Sequence, residues 1–278
     1  MKVKFPELEQ NSKVMEYIKK YGRLNGWYLT NKMHLPTQQE CFIIENIQDI
    51  KDCFHHIDRT EILYCRADSP WGKGNKLLRS KDIFLEELEG FYFACKEICD
   101  DVILLLYRHP SVWITGNYIP RYMTTGAAQV LFQKNRNVII EIVGQGFDCG
   151  DISRGKTLHY KLEMDQEAIL FGFSEILKES RMLNETYQIT KDNYDISRKN
   201  RVKELTECYG EDYKAEINNS IPAKVQNLNE LAKIVCEKCV YPVLDSEIIW
   251  NNYAIMMNLY NNQPYIYEIW QPKRSSIS

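Results

Sequence analysis

The amino-acid sequence predicts an α+β fold rather than a doubly wound parallel sheet. Apolar residues recur at helical spacing in segments such as residues 10–21 and 83–99. The apolar run at residues 102–107 has the length of a buried strand. In the second half of the chain, strand-like segments follow one another across short polar turns, which is typical of antiparallel hairpins.

The first half of the chain mixes helices with short strands. The first helix is expected at residues 10–21, because Val14, Ile18 and Tyr21 fall on one helical face and Asn11 or Ser12 can cap its start. The same reasoning predicts helices at residues 47–57 and 83–99, and strands at residues 41–44, 61–66 and 102–107.

The second half is expected to form hairpins around one long polar segment. The predicted strands are residues 127–133, 138–143, 253–259 and 265–271, and the predicted helices are residues 165–179 and 229–240. Residues 192–220 are rich in Asn, Lys and Glu and form an insertion in this scheme. We divide the chain into an N-terminal lobe, residues 1–105, and a C-terminal lobe, residues 106–278, that share a cleft.

Composition excludes several classes of protein. The 278 residues carry a net charge of -3, and their one short basic stretch, residues 198–203, is followed at once by Glu204 and Glu207. We therefore expect no nucleic-acid partner. No run approaches the ~18 apolar residues of a membrane helix, and the first residues lack a signal-peptide core. Nine cysteines, several within apolar runs, are typical of reduced thiols in a cytoplasmic protein.

Two basic residues of the first half are candidates for binding phosphate. Lys13 lies near the start of the first predicted helix, where it is either an ordinary surface lysine or a point charge on a phosphate. Arg66 ends an apolar strand and is followed by Asp68, so it either pairs locally or grips a phosphate with its planar fork. The loop at residues 72–74 has two glycines but is not a P-loop.

The second half offers oxygen ligands. Glu141 precedes a glycine-rich turn whose spacing does not match a Rossmann fingerprint. Asn258, Glu268 and Gln271 lie on the two last predicted strands, where they are either Mg²⁺ ligands or polar residues of an edge hairpin. No serine–histidine–acid arrangement can be proposed, because none of the histidines has a motif context.

Taken in chain order, these segments resemble the ATP-grasp domain of the phosphoenolpyruvate synthase and pyruvate phosphate dikinase family. Residues 64–68, Tyr-Cys-Arg-Ala-Asp, are similar to its arginine strand, and residues 140–146, Ile-Glu-Ile-Val-Gly-Gln-Gly, to its glycine-rich loop. Further similarities lie at residues 11–14, 34–44, 104–109, 126–132, 241–242 and 265–273. The resemblance spans nearly the whole chain.

The resemblance implies a role for each candidate residue. Lys13 and Arg66 would bind the phosphates of ATP, with Lys273 in place of a phosphate-binding arginine. Leu104, Leu106 and Tyr107 would lie along the adenine, and Glu141 would belong to the same nucleotide site. The metal would be held by Gln271, with Asn258 at the position of the family's glutamate unless Glu247 or Glu268 takes that place.

The expected function is therefore that of a two-lobed ATP-grasp protein that binds ATP with Mg²⁺. If it is an enzyme, it is an ATP-dependent phosphotransferase in which Arg66 and Lys273 are catalytic. Its phosphoryl acceptor is a small molecule or a partner protein. The family's serine pair is replaced by Ala67 and Asp68, which favours a degenerate domain that binds nucleotide or a partner without catalysis. Two further hypotheses are a carboxylate–amine ligase and a module that binds no nucleotide.

Overall fold

The structure is a computed structural model that describes residues 1–70, 80–120, 123–132, 137–144, 146–153, 160–165, 203, 228–246 and 253–270. The chain divides into two compact units. The first holds residues 1–32 and 37–118, and the second holds residues 33–36 with the described residues from 119 to 270. The expected boundary after residue 105 falls inside a strand of the first unit, so this unit is longer than the predicted lobe.

The first unit is built on a five-stranded antiparallel sheet. Its strands are β1 (Lys2–Lys4), β2 (Glu40–Ile44), β3 (Leu63–Asp68), β4 (Ser80–Ile83) and β5 (Ile103–Arg108). They lie in the order β1-β2-β5-β3-β4. The strands predicted at residues 41–44, 61–66 and 102–107 are confirmed within two residues at each end.

Five α-helices are described in the first unit. They are α1 (Ser12–Lys20), α2 (Gly22–Lys32), α3 (Ile47–Cys53), α4 (Leu88–Ile98) and α5 (Pro110–Thr115). Helix α1 begins where predicted, because the Asn11 side chain accepts a hydrogen bond from the Val14 amide at 3.2 Å. A 3-10 turn, Leu85–Glu87, leads into α4 and shortens the helix predicted at residues 83–99.

Strand β3 separates two different environments. Leu63, Cys65 and Ala67 point into an apolar core shared with Leu88, Tyr92 and Cys95 and with Leu104 and Leu106 of β5. Because side chains alternate along a strand, Tyr64, Arg66 and Asp68 point to the opposite side of the sheet. All six residues of β3 are nevertheless buried, so both sides of this strand are covered.

The second unit has its own five-stranded antiparallel sheet. Its strands are β6 (Gly126–Phe132), β7 (Asn137–Gly144), β8 (Tyr160–Asp165), β9 (Tyr253–Tyr260) and β10 (Gln263–Trp270), in the order β10-β9-β6-β7-β8. Both predicted hairpins are confirmed. The turn between β9 and β10 places Asn261 and Asn262 at φ values of 50° and 59°, which asparagine tolerates better than most residues.

Helices cover the second sheet. They are α6 (Cys149–Ser153), α7 (Leu228–Val235) and α8 (Tyr241–Leu244), with a π-helical turn, Cys236–Val240, joining the last two. Helix α7 and the π-helical turn correspond to the helix predicted at residues 229–240, and α8 lies beyond it. Apart from Asp165, which ends β8, and Lys203, the predicted helix at 165–179 and the polar segment at 192–220 lie outside the described residues.

Candidate functional site

Arg66 lies on β3, an interior strand that adjoins the edge strand β4 of the first sheet. It lies opposite Leu105 of β5 on one side and Ser80 of β4 on the other. Only 5% of its surface is exposed. Two tyrosines, Tyr64 and Tyr107, lie opposite each other on the same face with their ring centroids 6.4 Å apart. The sheet thus places a buried guanidinium beside an aromatic pair.

Asp68, two residues further along β3, serves the fold. Its Oδ2 accepts a hydrogen bond from the backbone amide of Leu24 at 2.9 Å, and the carboxylate is fully buried. Leu24 lies in the first turn of α2, where backbone amides lack helical partners and a negative charge is favourable. Asp68 therefore caps the N-terminus of α2 from a strand that lies 44 residues away in the chain.

Lys13 is engaged with an acid. Its Nζ lies 3.1 Å from Glu45 Oε1 and 5.4 Å from the ring centroid of Tyr17. The hydrogen bond that Lys13 donates to Glu45 is the main cause that raises the pKa of Lys13 above its usual value. The Lys13 side chain is more than half exposed. Lys13 on α1 is therefore engaged with Glu45, which follows β2, whereas Arg66 lies within β3.

The residues expected along the adenine are split between the two faces of β5. Leu104 and Leu106 are fully buried in the core that includes Leu88 of α4. Tyr107 points to the face that carries Arg66. Leu104 and Leu106 are therefore core residues, whereas Leu105 and Tyr107 share the face of Arg66. The alternation of side chains along a strand is the physical reason.

The second unit brings some of its candidate oxygen ligands to one face. Asn258 lies in β9 opposite Tyr265, and a register shift in β10 places Glu268 opposite Met256. Since Met256 and Asn258 are two residues apart, Asn258 and Glu268 share a face. Glu141 shares it too, but it lies in β7, three strands from β10, which is ~14 Å at the usual strand spacing.

Two of these candidate oxygen ligands, Asn258 and Glu141, already accept hydrogen bonds within the second unit. The Oδ1 of Asn258 accepts the Cys149 amide at 2.9 Å, and Glu141 Oε2 accepts Gln129 Nε2 at 3.1 Å. In the described ranges no three acidic, histidine or cysteine side chains are grouped to hold a metal ion. Asn258 and Glu268 together offer one carboxylate. Gln271 and Lys273, as well as Glu247, lie outside the described residues.

One polar cluster, formed by His109, Ser111 and Asp82, is not predicted from the sequence. His109 Nδ1 lies 2.7 Å from Ser111 Oγ and accepts the Ser111 amide at 3.3 Å, so the other ring nitrogen, Nε2, carries the hydrogen that faces Asp82 Oδ1 at 3.6 Å. Although this arrangement has the components of a nucleophilic triad, His109 and Ser111 are both fully buried. We interpret it as the cap of α5, which His109-Pro110 at the end of an apolar strand could have indicated.

The cysteines of the described part are free thiols. Cys236 and Cys239, the CxxC pair, lie in the π-helical turn and are fully buried. This burial raises the pKa of both thiols. Burial likewise raises the pKa of Cys41 and Cys65. These thiols are protonated at neutral pH and are poor nucleophiles.

Comparison with known proteins leaves the family open. No protein-family model and no curated protein matches the sequence. Among solved structures, ACD1 of Ca. Korarchaeum cryptofilum in complex with coenzyme A aligns over 94% of this chain and 97% of that chain, with 9% identity and a TM-score of 0.40. A TM-score of this size does not establish a shared fold. No helix within the described ranges is long and apolar enough to cross a membrane.

Proposed function

We propose that this protein binds ATP in an ATP-grasp-like manner, with Arg66 contacting the phosphates. The observation that carries the proposal is the burial of Arg66 on β3, an interior strand of the first sheet, on the face of Tyr64 and Tyr107. Arginine stays charged even when buried, and its planar donors match phosphate oxygens. A charge-assisted hydrogen bond is strongest where water is excluded.

Phosphoryl transfer is the activity that the resemblance implies. Transfer of a phosphoryl group needs in-line positioning and neutralisation of charge rather than a strong nucleophile. Arg66 would supply part of that charge. The acceptor would be a small molecule or a side chain of a partner protein.

Nucleotide binding without catalysis is the second candidate function, and two contacts favour it. Lys13 is paired with Glu45, and the side-chain oxygen of Asn258 accepts a hydrogen bond from the backbone amide of Cys149. An asparagine in place of a metal-binding glutamate also removes one negative charge, which weakens binding of Mg²⁺. Release of ADP distinguishes the two candidates, and stimulation of that release by an acid and an amine together would indicate a ligase.

Thermal unfolding with and without ATP and Mg²⁺ tests the proposal. A ligand present at 100 times its Kd stabilises the folded protein by about 2.7 kcal/mol. The variants are Arg66→Gln, which removes the charge, and Arg66→Lys, which keeps the charge but removes the bidentate fork. Arg108→Gln is the matched control, because Arg108 lies on β5, is largely exposed and pairs with Glu61.

We expect ATP to raise the Tm of the wild-type protein and of Arg108→Gln, and to raise it less or not at all in both Arg66 variants. Circular dichroism of the unliganded variants verifies that they fold. If a folded Arg66→Gln protein responds to ATP as the wild type does, Arg66 is not the phosphate ligand. If the wild-type protein shows neither a Tm shift nor binding by equilibrium dialysis, the nucleotide-binding proposal is wrong.

A further inference from the structure

Helix α4 has an unusual outer surface. One face of the helix packs on the core of the first unit through Leu88, Tyr92 and Cys95. A helix of this kind ordinarily presents polar residues on the other face. Here Phe93 is 51% exposed and Ile98 is 50% exposed. Helix α4 therefore carries apolar side chains that the first unit itself does not bury.

These exposed residues form one continuous strip. Gly90, Ala94 and Ile98 follow one another at intervals of four residues, and Phe93 lies next to them on the helix surface. The space around Gly90 is open, since no heavy atom lies within 4 Å of the position that a Cβ would take. We call residues 90, 93, 94 and 98 the α4 strip. Its small residues would let a second helix approach closely.

Three carboxylates flank the strip. Glu86, Glu89 and Glu97 are exposed, and none of them makes an ion pair or hydrogen bond with another part of the described chain. Lys96, the basic residue of the last turn, donates instead to the carbonyl of Asp100 and lies over the ring of Tyr92. Among the residues that the structure describes, the rim of the strip is therefore acidic and carries no ion pair to Glu86, Glu89 or Glu97.

The position of Glu97 indicates that the carboxylates beside the strip do not all stabilise α4. Glu89 lies in the first turn of α4, where a negative charge is favourable. Glu97, however, lies in the last turn, where the helix dipole disfavours a carboxylate. The neighbouring Ile98 is half exposed, which is also unfavourable for an isolated surface. A partner that covers Ile98 and supplies a cation to Glu97 would account for both.

We propose that the α4 strip is a docking surface for an amphipathic helix of another protein, with apolar residues on one side and lysine or arginine along its flanks. Charge complementarity selects this occupant. A second copy of the chain, docked through the same strip, would place its own three glutamates against those of the first. An anionic lipid surface would be repelled for the same reason. The eleven residues of α4 span about 16 Å, which suits a weak, transient contact.

A pair of synthetic peptides tests the proposal with the full-length protein. The first is a fluorescein-labelled helical peptide of about 18 residues with leucine at the a and d positions of a heptad and lysine at e and g. The second carries glutamate in place of lysine. Binding is measured by fluorescence anisotropy at two salt concentrations. We expect the basic peptide to bind at least about tenfold more tightly than the acidic one, with the difference reduced at high salt.

Two protein variants locate the contact. The triple variant Glu86→Gln, Glu89→Gln, Glu97→Gln removes the acidic rim, and Phe93→Ser with Ile98→Ser removes the apolar contacts. We expect each to weaken binding of the basic peptide at least about fivefold. All of these residues are exposed or half exposed, so the variants should fold, which circular dichroism verifies.

The matched control is the triple variant Glu7→Gln, Glu16→Gln, Glu230→Gln. It makes the same change in net charge at exposed positions outside α4. Unchanged binding in this control supports the proposal, and an equal loss would show that only total charge matters. The proposal is also overturned if the basic peptide does not bind, or if the Phe93 and Ile98 variant binds as the wild type does. Light scattering that shows a dimer of the wild-type protein, lost in that variant, would identify a second copy as the occupant instead.

Discussion

Replacing Asp68 tests whether this residue holds the fold of the first unit together or contacts a ligand. Asp68→Ala removes the acceptor of the buried Leu24 amide, and both residues are fully buried. A buried donor left without a partner costs about 1–3 kcal/mol. Loss of a negative charge at a helix N-terminus adds roughly 0.3–1 kcal/mol. We therefore expect the free energy of unfolding to fall by about 1–4 kcal/mol.

Urea unfolding followed by circular dichroism measures the loss. Asp68→Asn keeps a side-chain oxygen that can accept from the Leu24 amide, so it should lose less than Asp68→Ala. Asp58→Ala is the surface control, because Asp58 also accepts a backbone amide, that of Thr60, but in an exposed turn. If Asp68→Ala is no less stable than Asp58→Ala, the capping role is wrong. If it keeps its stability but loses the response to ATP, Asp68 is a ligand residue.

Four further predictions concern packing and ionisation. Gly126→Ala should lose about 1–3 kcal/mol of stability, because a Cβ there would lie 2.8 Å from both Val143 O and Leu231 Cδ1. Gly90→Ala should raise stability by about 0.5–1 kcal/mol, because Gly90 lies on a helix with open space around it. Thermal melts in which the two glycine variants shift the Tm in the same direction would contradict these packing environments. His109→Ala should destabilise the protein by about 1–3 kcal/mol, because the buried Ser111 amide loses its acceptor. A fluorophosphonate should leave Ser111 of the folded wild-type protein unlabelled, because this serine is fully buried. Burial raises the pKa of Tyr21 to about 12 from 10.0, so the unfolded chain ionises first, and stability should fall as the pH rises from about 10 to about 12. Urea midpoints across that range should fall less in Tyr21→Phe, and equal slopes would contradict the burial of this hydroxyl.

Local patterns were sufficient to predict most elements of the fold. The strands at residues 41–44 and 102–107 are apolar runs of strand length, and the helix at residues 10–21 has both a cap and one apolar face. Helix α4 shows the limit of such patterns. Its apolar residues exceed what one face can bury, and the sequence does not indicate which of them remain exposed.

The candidate site could be predicted only in part. Arg66 is predicted because a charge in an apolar strand requires compensation, and the structure places it on an interior strand between β4 and β5. Lys13 and Leu104 were assigned by family resemblance, and their contacts were not predictable from spacing. Lys13 pairs with Glu45, which is 32 residues away in the chain, and Leu104 faces the core.

The sequence by itself determined the α+β class, the positions of seven of the ten described strands and of helices α1, α3, α4 and α7, and the presence of a charged residue inside β3. These properties depend on neighbours within a few residues, so periodicity and capping are sufficient to define them. Only the tertiary structure decided which face of each strand is core, that Asp68 caps a helix that begins 46 residues earlier, and that His109 faces Asp82. Those contacts join distant segments, and they depend on strand order and register, which no local pattern specifies.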